Sequence, residues 1–97
     1  MSARLQSWNL VSNATLYWKT LQDECVVFNS ASGQTHLLDP ISALFVHQIQ
    51  QRRQESDELF FETARLLECD LTPEIRTTFE ERLWKLEASG LIEANAF

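Results

Sequence analysis

Apolar and polar positions change rhythm several times along this chain. The first dozen residues hold Leu5, Trp8, Leu10 and Val11 in no sustained period, which predicts an arm over residues 1–12 laid across the core. From Thr15 the texture changes to LYWKTLQDECVVFN, rich in β-branched and aromatic residues and broken by Gln22-Asp23, so it reads as strand, turn, strand. Ser30-Ala31-Ser32-Gly33 is a second turn, in which Gly33 is free to take a positive φ. A third strand follows over about Gln34 to Leu38. Strands this short, joined by tight turns, predict an antiparallel meander whose outer members are sheet edges.

At Asp39-Pro40 the period changes from two to 3.6. Asp accepts from free amides at an N-cap, and Pro at the first helical position loses no hydrogen bond, so a helix is predicted to start there. Ile41, Leu44, Phe45 and Ile49 give it one apolar stripe. Ser56, followed by Asp57 and Glu58, is the next N-cap, and Leu59, Phe60, Thr63, Leu66 and Leu67 form the face of a second helix. Thr72-Pro73 repeats the cap-plus-proline device. The third helix carries Ile75, Phe79, Leu83 and Leu86 on one side and runs to Gly90, a C′ residue suited to a left-handed cap, after which Leu91-Ile92 fold back on the core. The predicted class is α+β and winged-helix-like, a three-stranded antiparallel sheet followed by three helices in a single domain over residues 1–97.

Composition narrows the function. A chain of 97 residues with 44% hydrophobic content suits one core. No apolar run approaches the roughly 20 residues needed to span a bilayer, and the N-terminus lacks the apolar core of a signal peptide, so a soluble cytoplasmic protein without membrane partners is expected. Cys25 and Cys69 lie in different elements without metal-type spacing, which suits reduced thiols. His36 and His47 lack the spacing of a metal site, and the two glycines form no phosphate loop. Neither catalytic residues, nor a metal, nor a cofactor is therefore predicted. The formal charge of −6 argues against nucleic acid, and the third helix sets Arg76, Arg82 and Lys85 against Glu74, Glu80, Glu81 and Glu87.

Two aromatics stand off their stripes. At about 100° per residue, Trp84 falls roughly 150° from the centre of the third helix's apolar face, and Phe61 sits opposite Leu59-Thr63-Leu66. Both are either covered by a neighbouring element or part of a surface for a partner or a second copy in a homodimer. The third strand, polar at Gln34 and Thr35, presents an open edge to which an extended peptide could add.

The run VVFNSASGQTHLLDP, followed by Ile41, Leu44 and Phe45 and closed by Leu83, Leu86, Glu87, Gly90, Leu91 and Ile92, resembles the PqqD-like family of small peptide chaperones, closest to the HPr-rel-A system type. The likeness covers about Trp8 to Ile92. It implies a RiPP recognition element, which binds the leader of a ribosomally made precursor peptide by strand addition and presents it to a modifying enzyme. Carried over by position, it implies backbone pairing at Gln34, Thr35, His36 and Leu37, and groove contacts at Arg76, Phe79, Glu80 and Leu83. The competing readings are a winged-helix DNA-binding regulator and an accessory subunit of a protein complex. The expected function is thus a non-catalytic peptide adaptor.

Overall fold

The segment expected to be an arm is a strand. In the computed structural model, which describes residues 6–11, 15–22 and 24–96, β1 runs over Gln6–Leu10. The meander follows as β2 (Leu16–Leu21), β3 (Glu24–Asn29) and β4 (Gln34–Leu38), then come α1 (Pro40–Gln51), β5 (Gln54–Glu55), α2 (Ser56–Leu66), α3 (Pro73–Ala88) and β6 (Ile92–Ala96). Leu5 and Ser12 of the expected arm and Asp23 of the first turn lie outside the described residues. The fold is α+β, with two antiparallel three-stranded sheets ordered β5-β1-β6 and β2-β3-β4 and three helices.

The second sheet corrects the predicted succession of three strands and then three helices. β1 is its central strand, with Trp8 opposite Gln54 on one side and Ala94 on the other. The reason is the Trp8 side chain. It is fully buried, and its indole N–H donates to Ser56 Oγ at 2.7 Å, so the N-terminal segment is part of the core rather than a cover for it.

The caps explain where the helices begin and end. Asp39 Oδ1 accepts from the Ser42 amide at 2.8 Å, and Thr72 Oγ1 accepts from the Ile75 amide at 3.2 Å, each just ahead of a proline. Gly33 at φ 75° and Gly90 at φ 86° take the positive φ their turns require. At α2 the N-cap is Glu55, not Ser56: Glu55 and Glu58 form a capping box, while the Ser56 hydroxyl is turned inward to Trp8.

One phenylalanine from each helix meets at the centre. Phe45, Phe60 and Phe79 lie with ring centroids 5.5 to 5.9 Å apart, within the range of favourable aromatic pairs. Trp8, Val27, Leu38, Leu83, Leu91 and Ile92 complete the same buried cluster from both sheets, α3 and its C-terminal turn. Leu66 and Leu67, expected on the buried face of α2, are exposed because α2 ends there and the chain turns away.

Candidate functional site

The meander's register determines what its last strand offers. The Ser30 amide donates to the Thr15 carbonyl at 3.0 Å, one step beyond the Leu16–Asn29 pair. Antiparallel ladders alternate, so the peptide groups of Phe28 and Val26 also point to β2, and those of Asn29, Val27 and Cys25 point to β4. Their partners Gln34, His36 and Leu38 point back, which leaves the N–H and C=O of Thr35 and Leu37 directed away from the sheet. β4 is the terminal strand of this sheet, so those groups have no strand partner among the described residues.

Side chains alternate with the same parity. Leu38 is buried and His36 half-buried on the core face, whereas Thr35 and Leu37 are exposed on the outer face beside Phe28 and Val26. Two clefts of about 330 and 360 Å³ open along β4 and share Leu37, Leu38 and Asp39. The first continues onto α3 through Arg82, Lys85, Leu86 and Ser89, and the second onto Glu24 and Pro40. An extended segment laid on this edge would meet backbone groups on one side and cavities for its side chains on the other.

The residues expected along the helical wall are not the ones found there. Phe79 and Leu83 are buried in the core, 1% and 0% exposed, and are not among the residues that line the β4 clefts. Arg76 faces α2, its guanidinium 3.0 Å from Asp57 Oδ1 and 5.5 Å from the centre of the Phe60 ring. Glu80 is half-buried and does not line the β4 cleft. At about 100° per residue, the set Arg76, Phe79, Glu80 and Leu83 lies roughly 120° around the helix from Arg82, Lys85, Leu86 and Ser89. The residues expected along the groove thus lie on α3, but on a different face from those that line the β4 cleft and nearer the N-terminus of the helix. The spacing Arg82-x-x-Lys85, a pair of cations in an acidic chain, was the signal available for the face that lines this cleft.

The cleft's charges are unevenly satisfied. Arg82 Nε stands 3.0 Å from Asp39 Oδ2, yet its N–H is shielded from solvent without an aligned acceptor. No carboxylate among the described residues lies within ion-pair distance of Lys85. His36 Nε2 is likewise shielded and has no hydrogen-bond partner.

A larger cleft of about 650 Å³ lies between the end of α1 and α2, lined by Gln48, Arg52, Gln54, Phe61 and Arg65 among others. Its cations are already paired: Arg52 is 3.4 Å from Glu58, and Arg65 holds Glu62, whose carboxyl is drawn below its usual range first by that hydrogen bond and further by the positive charge. It adjoins β5, a terminal strand of only two residues that offers too little edge for an added strand, so size alone does not make it the stronger candidate. Phe61 on its wall is 62% exposed and Trp84 on α3 is 52% exposed, so neither is covered core. His47 is exposed and stacks on Trp18 at 3.8 Å, a contact that fastens α1 to the meander.

Among the described residues no cluster of three His, Cys, Asp or Glu side chains is placed to hold a metal ion, and no helix is long and apolar enough to cross a membrane. Comparisons with protein families, curated proteins and solved structures return no match to this chain.

Proposed function

We propose that this protein is a non-catalytic peptide-binding adaptor of the PqqD-like kind, which takes an extended precursor leader onto the β4 edge and presents it to a modifying enzyme. The observation that carries this reading is the outward pair of peptide units at Thr35 and Leu37, flanked by two clefts. A strand of five residues such as β4 spans about 17 Å, enough for a short peptide to pair with both units while alternate side chains enter the clefts. Each backbone hydrogen bond gained contributes about 0.5–1.5 kcal/mol net, so affinity would come jointly from the ladder and the side-chain cavities. Phe61 and Trp84 lie outside the β4 clefts and are left for contact with the enzyme. The free thiols of Cys25 and Cys69 suit a reducing cytoplasm. Nucleic acid is a poor partner, because the exposed residues of α3 include Glu74, Glu81 and Glu87 against Lys85.

The test is amide shift mapping with synthetic leaders copied from short open reading frames beside the gene. Shifts are expected over Gln34–Leu38 and around Arg82, Lys85 and Ser89. Thr35→Pro removes an outward donor while sparing the ladder to β3, so it is expected to abolish binding with little change in the thermal midpoint. Shifts confined to Phe61 and its surroundings, with β4 silent, would overturn the proposal, as would duplex DNA binding at sub-micromolar, sequence-dependent affinity.

A further inference from the structure

Strand addition by itself leaves the class of peptide open. We infer that the peptide added to β4 carries an Asp or Glu side chain that enters the cleft and is held by Lys85 together with Arg82. This inference rests on the peptide-adaptor reading and deepens it.

The chain as a whole is acidic, at −6, yet the helical wall of this cleft presents two cations at i and i+3. Residues at that spacing share a helix face, so both project toward the same volume. Among the described residues the only carboxylate lining the same cleft is Asp39, and it is already committed: Oδ1 caps α1 through the Ser42 amide and Oδ2 is the ion-pair partner of Arg82. Lys85 has no carboxylate partner among the described residues. The Arg82 guanidinium carries five N–H donors, of which a single poorly aligned contact to Asp39 uses at most one.

A peptide that brings a carboxylate would supply the missing acceptor for both. A lysine or arginine in its place would meet two like charges, so the wall selects against basic peptides as well as for acidic ones. Leu86 and the exposed Leu37 offer apolar contact on either side of the charged point, which favours an acidic residue next to or one residue away from an apolar one. Strand geometry permits that spacing, since alternate side chains of an added strand face the same way.

The test uses a random dodecapeptide display library selected on the wild-type chain and filtered for clones that no longer bind Thr35→Pro, so that edge-dependent binders are retained. Expected is an Asp or Glu at one fixed place in these binders. Changing that residue to Asn or Gln, or making Lys85→Glu in the protein, should weaken binding by about tenfold or more, the usual scale for losing a hydrogen bond to a charged group. A peptide with Lys at that place should recover affinity on Lys85→Glu, and wild-type binding should weaken as salt rises. Lys85 is exposed, so the variant should fold, and its circular dichroism and thermal midpoint check that it does. Edge-dependent binders without a fixed acidic residue, or unmoved by Lys85→Glu, would overturn this inference and leave the adaptor reading standing. No edge-dependent binder at all would overturn both.

Discussion

Asp39 uses its two carboxylate oxygens for different tasks, one capping α1 and the other facing Arg82 across the cleft. The two contributions can be separated. Asp39→Ala removes both and should lower stability by about 0.5–2 kcal/mol, chiefly through the lost cap. Asp39→Asn retains a capping oxygen and should cost only a few tenths of a kcal/mol, because the pair with Arg82 is 30% and 42% exposed and is screened by solvent. Urea midpoints at unchanged slope measure both; equal losses would mean that the charge and not the cap matters. Cys25 makes a second residue-scale prediction. Burial pushes its thiol above the usual range, so at neutral pH less of it is thiolate than in an unfolded chain. Alkylation of Cys25 by iodoacetamide at pH 7.5 should be slower in the folded protein than in urea, and should accelerate as pH rises past the ordinary thiol range, followed by mass spectrometry.

At the scale of elements, β4 makes the sharpest prediction because its two parities do different work. His36 directs its peptide group to Val27, so His36→Pro removes a bond within the sheet and should lower the thermal midpoint by several degrees, whereas Thr35→Pro should not. The reverse order of effects, with Thr35→Pro destabilising and His36→Pro not, would show that the parity derived from the Thr15–Ser30 contact is shifted by one residue. The end of α2 provides another test. Glu68 sits at φ 55°, with its amide on the Arg65 carbonyl and the Cys69 amide on the Ala64 carbonyl, a Schellman arrangement with a non-glycine residue in the left-handed position. Glu68→Gly relieves the Cβ clash of that conformation and should be stabilising by up to about 1 kcal/mol in a denaturant titration. The helices themselves were legible from local signals. Asp39-Pro40 and Thr72-Pro73 start helices as read, and Gly90 follows the last one. Ser56 misled, because its hydroxyl has a better-buried use against Trp8, and no local pattern contains that contact.

Over the whole molecule, the chain is closed by its own ends. β1 pairs with β6 from Gln6 opposite Ala96 to Leu10 opposite Ile92, and the Val11 amide donates to the Leu91 carbonyl. Trp8 is therefore part of the structure's interior, and Trp8→Ala should cost about 3–5 kcal/mol, a large share of the roughly 5–15 kcal/mol that holds a domain together. Deleting residues 1–10 should abolish cooperative thermal unfolding, whereas an arm merely laid on the surface could be removed with little effect.

Sequence alone determined the features that depend on neighbours within a few positions: the meander with its two turns, the capped starts of α1 and α3, and the apolar stripes that bring Phe45, Phe79 and Leu83 inward. It also singled out β4 as an edge, since a strand that follows a turn and precedes a capped helix has only one sequential neighbour with which to pair. Tertiary structure decided what joins residues distant along the chain. The pairing of β1 with β6 leaves no local period, because each is a five-residue strand whose partner lies at the other end of the sequence. The face of α3 that meets β4 was also undecided, since helical periodicity identifies the apolar stripe but not which flank of it turns toward the sheet. Packing of Phe79 against Phe45 and Phe60 fixes that rotation, and thereby sets Arg82 and Lys85, rather than Arg76 and Glu80, beside the open strand.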